Sequence, residues 1–223
     1  MTILAIDTST DYLSLAIMRG EKIIARFHRR SRMRHSSLLM PRIDKLLKRT
    51  GLKIKEIDCF AISIGPGSFT GLRIGVATVK GLAYALKKPI VAVPTLDVIA
   101  VNAKSFRGAI CPVLDARKNK VYACLYKSDG EKIKRISKYL LLPVSDLLKR
   151  IKKYDKIIFL GDVAAEVSKN FSKEVPGTFL RWHPRAEVVA RICAESCKKK
   201  KFVSPEDLEP LYLYSKECDI TGR

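Results

Sequence analysis

Ile3-Leu-Ala-Ile-Asp-Thr-Ser-Thr-Asp-Tyr-Leu-Ser-Leu-Ala-Ile17 sets two apolar runs around the polar segment Asp7-Thr-Ser-Thr-Asp11. That is the pattern of a strand, a tight polar loop and a returning strand. After the Arg19-Gly20 turn, residues 21–27 supply a third strand. Leu38, Leu39, Ile43, Leu46 and Leu47 then recur at three- and four-residue spacing before Gly51, which predicts an amphipathic helix with a glycine stop. A strand over 59–64, a glycine-rich turn, a helix over about 69–86 and a strand over 89–93 follow.

After Ser105-Phe-Arg-Gly108 the same order of elements begins again. Residues 109–114 read as a strand, Asp115 lies in a loop, 121–126 return, and a turn falls at Ser128-Asp-Gly130. Gly20-Glu-Lys-Ile23 closes the first hairpin and Gly130-Glu-Lys-Ile133 the second. Likewise 60–64 runs into Gly65 and a helix, as 157–160 runs into Gly161-Asp162 and a helix. Such a weak internal duplication predicts an α/β chain of two related halves, residues 1–104 and 105–223, each a mixed, five-stranded type of sheet flanked by helices. The second half is expected to end in a helix over 186–201 and a polar, partly mobile tail. Two halves that each open on an acidic hairpin resemble the duplicated actin-like, ribonuclease H-like group of actin, sugar kinases and Hsp70.

The composition narrows the function classes. With 223 residues and 47% hydrophobic content, burial is ample for one core or two smaller ones. No apolar run approaches the roughly 20 residues that cross a bilayer, and the first residues lack a basic leader and a cleavage site, so a cytoplasmic protein without a membrane span is expected. Six cysteines (59, 111, 124, 193, 197 and 218) lie far apart beside apolar neighbours, as buried reduced thiols do. Only Cys193 and Cys197 share a helix face. Third and fourth ligands are missing at suitable spacing, so no metal site is expected.

Forty-three Lys and Arg against 22 Asp and Glu give a net charge of +21. Residues 1–100 hold 17 against 7 and the remainder 26 against 15, so the charge is spread rather than gathered in an arm. Such a field draws polyanions in a salt-dependent way, and it also simply solvates a surface. The densest stretch, Arg26-Phe-His-Arg-Arg-Ser-Arg-Met-Arg-His35, is the first candidate for a nucleic-acid contact.

In the actin-like group the first hairpin wraps ATP phosphates. Here Asp7, Thr8 and Ser9, with Asp115 in the second half, form at most a vestigial nucleotide loop: one carboxylate for a hydrated magnesium and hydroxyls for phosphate, without the glycine that permits close backbone approach. The alternative is an Asp and Thr turn whose side chains satisfy only their own loop. The more specific motif is Gly65-Pro-Gly-Ser-Phe-Thr-Gly-Leu-Arg-Ile-Gly75, in which Gly65, Pro66 and Gly67 form a sharp turn and Ser68 or Thr70 caps a helix carrying Gly71, Arg73 and Gly75. It lacks the Gly-Lys-Ser/Thr ending of a P-loop and the spacing of a dinucleotide fingerprint. Close helix packing accounts for its glycines better than nucleotide does.

Through Ile3-Leu-Ala-Ile-Asp-Thr-Ser9, the glycine motif with the preceding Ile62-Ser-Ile, and Lys80-Gly-Leu-Ala83, residues 1–96 resemble the TsaB (YeaZ) family, a paralogue of the catalytic threonylcarbamoyl transferase TsaD. Beyond residue 105 the likeness is looser, though Pro210-Leu-Tyr-Leu-Tyr214 is similar to the family's closing segment. The paralogue holds its metal with a His-x-x-x-His pair after the strand that follows the glycine-motif helix. This chain reads Val93-Pro-Thr-Leu-Asp-Val-Ile99 there, and its histidines, His28, His35 and His183, lie elsewhere. His35 is expected to face solvent or a partner at the helix start, and Trp182-His183-Pro184 to form a packed loop.

The resemblance therefore implies a non-catalytic subunit of the machinery that makes N6-threonylcarbamoyladenosine (t6A) at position 37 of tRNA. It needs no cofactor of its own, activates TsaD as a heterodimer and helps recruit the ATPase TsaE, with ATP and metal belonging to those partners. The pairing helices are expected at 35–49 and 70–86, with His35, Leu38, Leu39, Arg42, Leu46, Ile74, Thr78 and Gly81 as the interface. The same surface is expected to close on itself as a homodimer in isolation. The competing expectation is an ATP-dependent phosphotransferase or ATPase of the actin and sugar kinase group.

Overall fold

The first three strands, β1 (Thr2–Asp7), β2 (Tyr12–Arg19) and β3 (Lys22–Arg30), form an antiparallel meander, and β1 is buried at every position. A strand buried on both faces must be central, and β1 pairs on its other side with β4 (Cys59–Gly65), which pairs with β5 (Ile90–Pro94). Both of those ladders are parallel, so the sheet order is β3-β2-β1-β4-β5. The parallel strands require crossovers, supplied by α1 (His35–Thr50), which precedes β4, and α2 (Phe69–Leu86). α1 ends where Gly51 takes φ 68°, and α2 starts where the Ser68 hydroxyl accepts the N–H of Gly71. After β5 comes a short helix, α3 (Thr95–Ala100).

The two faces of this sheet are chemically unequal. Leu4, Ile6, Leu13, Leu15, Ile17, Phe60 and Ile62 pack against Leu39, Ile43, Leu46 and Leu47 of α1 and Val76, Val79 and Ala83 of α2. Burying each such large side chain contributes about 1.5–3 kcal/mol. The opposite face carries mainly smaller groups, among them Ala5, Ala16, Cys59 and Ala61. Against it lies α5 (Ala186–Lys198), through Ala186, Val189, Ala190 and Cys193. Small residues on both sides bring that helix close to the sheet, and the buried Ser14 hydroxyl accepts the Ala186 N–H at 2.9 Å.

In the second half, β6 (Arg107–Asp115) plays the part of β1. It runs antiparallel to β7 (Lys120–Ala123) and parallel to β11 (Ile157–Gly161), which is parallel to β12 (Gly177–Arg181). With β10 (Leu140–Pro143) antiparallel to β7, the order β10-β7-β6-β11-β12 repeats the first sheet in sequence and direction. The duplicated actin-like α/β fold expected from the sequence is the one observed. Two details depart from a plain five-stranded copy. The returning strand is split into β7 and β8 (Tyr126–Asp129), both paired with β6 in one register that sets Cys124 opposite Pro112, which has no amide hydrogen to give. β8 also pairs with a short β9 (Ile133–Arg135), making seven strands in all. α4 (Val144–Ile151) places Leu147 and Ile151 against Val121, Leu142 and Phe159.

This computed structural model describes residues 1–31, 34–163 and 177–214. Arg32 and Met33 of the basic stretch, the helix expected after Asp162, Cys218 and most of the polar tail lie outside the described residues. The chain forms two units: Met1–Val101 with His183–Pro210, and Asn102–Trp182 with the described residues from Leu211. A single cut at 104/105 does not describe this division. α5 belongs with the first sheet because its small, buried face matches the small-residue side of that sheet.

Alternation on α1 gives a direct check of its inward and outward faces: Leu39 is 1% exposed and Met40 47%. Leu39→Ala is expected to cost about 2–5 kcal/mol in chemical denaturation, and Met40→Ala less than about 0.5 kcal/mol.

Candidate functional site

At the head of β1 the loop 7–10 is wholly buried. Asp7 Oδ1 accepts the N–H of Ser9 at 3.1 Å and its hydroxyl at 2.9 Å, and Thr10 Oγ1 accepts the N–H of Tyr12 at 3.3 Å. The Ser9 amide is therefore spent on the loop's own carboxylate. Burial pushes the Asp7 carboxyl above the usual range, with Ser63 and Ser9 opposing. Asp7 Oδ2, Thr8 Oγ1 and Ser63 Oγ are buried without completing a hydrogen bond of acceptable distance and angle.

What closes over this loop is the glycine motif. The Ser68 N–H donates to the Ser9 carbonyl at 2.7 Å. A Cβ on Gly67 would lie 2.2 Å from that same carbonyl, one on Gly71 2.1 Å from the Thr8 carbonyl, and one on Gly75 2.3 Å from Thr8 Oγ1. These glycines are places where a helix and a loop touch backbone to backbone. The side of the loop that faces α2 is filled by protein, and its Ser9 amide is already bonded, so the residues present do not fit a phosphate cradle. Gly65, joined to Pro66 by a cis peptide bond, donates its N–H to Thr95 Oγ1 at 3.1 Å. Thr95 thus ties the start of α3 to the end of β4.

Gly81 differs from the other α2 glycines, because a Cβ there meets nothing within 4 Å. It lies in an outward stripe with Phe69 (46% exposed), Arg73, Ala77 and Tyr84 (73% exposed), at spacings of three and four. The Arg73 guanidinium lies over the Phe69 ring, 3.9 Å from its centroid. Of the residues expected at an interface, Gly81 is exposed and Leu38, Arg42, Ile74 and Thr78 are half-buried. Arg42 lies over the Phe27 ring at 4.9 Å, and the Thr78 hydroxyl donates to the Ile74 carbonyl. Leu39 and Leu46 (2% exposed) are core residues, since the apolar period of α1 marks its sheet-facing side. His35, 4% exposed, faces inward rather than to solvent, within reach of the Ser31 hydroxyl at 3.2 Å and the Tyr12 carbonyl at 3.4 Å. Sequence reasoning did not single out Met40 or Tyr84. An outward residue carries no periodic signal, and only the exposure of large apolar groups reveals it.

The remaining histidines stack on Tyr12, His28 at 4.9 Å and His183 at 4.1 Å between centroids. In the second unit Asp115 accepts the Arg117 N–H at 2.8 Å, while its own N–H goes to Asp162 at 3.0 Å. Arg117, Lys118 and Asn119 all take positive φ in that turn. Burial raises the Asp162 carboxyl to about 6, against the pull of the Asp115 N–H. Asp7, Thr8 and Ser9 thus lie together in one unit and Asp115 in the other.

A meander joined to two parallel strands in the order β3-β2-β1-β4-β5, then repeated, is the architecture of the actin-like proteins. One solved structure of this fold, the activator of a 2-hydroxyisocaproyl-CoA dehydratase from Clostridium difficile with bound ADPNP, superposes at a TM-score of 0.54 with 12% identity, covering 95% of this chain and all of that one. YeaZ from Pseudomonas aeruginosa superposes much more closely, with a TM-score of 0.81 and 26% identity over 95% of this chain and 99% of that one. Residues 29–199 match the family described as "TsaD: tRNA N6-adenosine threonylcarbamoyltransferase". The Bacillus subtilis "tRNA threonylcarbamoyladenosine biosynthesis protein TsaB" is 35% identical over 98% of this chain and 96% of its own length. The chain belongs to the TsaB (YeaZ) family.

Two measurements probe this geometry. Gly71→Ala is expected to cost about 1–3 kcal/mol or more in denaturant unfolding, because the clash is with backbone, whereas Gly81→Ala gains up to about 1 kcal/mol from helix propensity. For Asp162, the folded chain keeps between pH 3.8 and about 6 a proton that the unfolded chain has released. Wild-type stability relative to Asp162→Asn therefore falls as pH rises through that window and is level above it, as read from denaturation midpoints at pH 4.5, 6 and 7.5.

Proposed function

We propose that this chain is a non-catalytic subunit in the synthesis of t6A in tRNA, pairing with a TsaD-type transferase through the outward stripe of α2 and the adjoining edge of α1. Family membership supplies the pathway, since the relatives bear the name of that biosynthesis. The contact itself is supported by one observation. Gly71 and Gly75 are used up against the chain's own loop, while Gly81 lies open in a stripe of Phe69, Ala77 and Tyr84 where a second helix has room to approach closely. Ile74 and Thr78 flank that stripe on α2 itself, and half-buried Leu38 and Arg42 with exposed Met40 are the α1 residues assigned to the contact, whereas Leu39, Leu46 and His35 are buried and serve it only by holding α1 in place.

In this reading the chain activates the transferase by holding it in a competent shape and helps recruit the ATPase TsaE. ATP and metal belong to those partners, and the site of action is the cytoplasm. The cationic surface contributes a salt-dependent attraction to tRNA. In isolation the stripe closes on a second copy as an isologous homodimer that the heterodimer replaces. A phosphotransferase would need loop amides free to bind phosphate, and here the Ser9 and Ser68 amides are spent internally.

The test is copurification with TsaD and reconstituted t6A formation, using the wild type, Gly81→Leu and Tyr84→Glu. Each substitution is expected to weaken TsaD binding by about 30-fold or more, equivalent to about 2 kcal/mol, and to lower modification in proportion, with the fold intact by circular dichroism. Wild-type chain that neither binds TsaD nor raises modification overturns the reading. Tight, stoichiometric ATP and magnesium binding by calorimetry favours the phosphotransferase instead.

A further inference from the structure

Cys59 opens β4, and Cys193 and Cys197 lie one turn apart on α5. On sequence spacing only the last two could share an ion. Packing α5 against the small-residue face of the sheet adds the third. The Sγ separations are 3.6 Å for Cys59 and Cys193, 3.8 Å for Cys193 and Cys197, and 3.8 Å for Cys197 and Cys59. Among the described residues this is the one group of three or more His, Cys, Asp or Glu whose ligand atoms converge in this way.

The dimensions of the triangle are informative. Zinc bound tetrahedrally at about 2.3 Å from each thiolate requires sulfur edges of about 3.8 Å. An ion at that distance from these three sulfurs stands about 0.8 Å out of their plane, as tetrahedral coordination demands, and keeps a fourth position. A disulfide, at about 2.05 Å, would need any pair to close by more than 1.5 Å. Cys59 and Cys193 are fully buried and Cys197 is partly exposed, at an open pocket of about 740 Å³ that Glu21, Glu195 and Lys198 also line. Ions have an entry there, and water or a carboxylate can supply the fourth ligand.

We propose that Cys59, Cys193 and Cys197 bind one thiophilic ion, zinc, as three thiolates, and that this ion pins the returning helix α5 to β4. The site would join residues 138 positions apart in sequence, counting from Cys59 to Cys197. Binding replaces thiol protons with the cation, so affinity rises with pH.

The experiment uses the full chain, reduced and stripped with chelator, then titrated with zinc against a chromogenic chelator, with thiol alkylation and thermal unfolding in parallel. The expected result is one zinc per chain, protection of the partly exposed Cys197 from alkylation, a raised Tm, and a thiolate-to-metal ultraviolet band when cadmium replaces zinc. Cys193→Ala removes a fully buried group and can fail for reasons of folding alone, so the deciding variant is the partly exposed Cys197→Ser. It is expected to bind zinc at least about 100-fold more weakly, while Cys111→Ala leaves affinity unchanged. Equal affinity in the wild type and Cys197→Ser, no stoichiometric zinc, or binding of copper(I) with none of zinc overturns the proposal.

Discussion

The contact on which the first unit depends is the backbone approach of α2 to the loop 8–9, which three missing Cβ atoms make room for. A Cβ on Gly67, Gly71 or Gly75 would lie only 2.1–2.3 Å from an atom of Thr8 or Ser9, so the helix has little freedom to slide or rotate. Fixing its rotation turns Leu72, Val76, Val79 and Ala83 inward and leaves Phe69, Ala77, Gly81 and Tyr84 outward. The same contact engages the Ser9 carbonyl, which accepts the Ser68 N–H. One packing constraint thus defines both the helix's outer surface and the side of the loop that the helix covers.

A second asymmetry is set by side-chain size along the strands. On β1, Leu4 and Ile6 point to one face and Ile3 and Ala5 to the other; on β4, Phe60 and Ile62 oppose Cys59 and Ala61. Alternation sends each set to its own side, so the bulkier face accommodates α1 and α2 and the finer face accepts α5 at close range beside the short α3. Because α5 is rich in Ala and Cys at its buried positions, it fits the finer face and would leave gaps on the bulkier one. That match draws residues 183–210 back to the first unit, and it brings Cys193 and Cys197 to Cys59.

Much of the architecture was legible in the sequence, because strands and amphipathic helices carry their own periods. The hairpin 3–17, the helix ending at Gly51, the helix 69–86 and the repeat after residue 105 all leave local marks. α4, β9, β10 and β12 were not read, being short and without a clean period. The unexpected exposures on α1 and α2 share one cause. Apolar periodicity reports which side of a helix meets its own sheet, so Leu39 and Leu46 announced themselves while serving the core, and Tyr84, which faces out, did not. The cysteine triangle was invisible for a different reason: two of its members are local, but the third depends on which sheet face α5 selects, and no spacing rule encodes that choice.

Charge places a further condition on any surface that associates. Even if each of the 22 carboxylates met one cation, 21 of the 43 basic side chains would remain, and some carboxylates are committed elsewhere, as Asp7 is to Ser9 and Asp162 to a backbone amide. Exposed pairs such as Arg30 with Asp11 and Lys48 with Asp44 contribute little to stability. A protein approaching most of this surface therefore meets a positive field, which a polyanion finds favourable and another basic protein does not. The α2 stripe is locally different. Phe69, Ala77, Gly81 and Tyr84 are uncharged, the Arg73 guanidinium is laid over an aromatic ring, and Lys80 donates to the Glu206 carbonyl at 3.3 Å. In the proposed pairing two such stripes meet with little repulsion at contact range, so the helix packing proposed there and the pull of the net charge on phosphate rest on different residues.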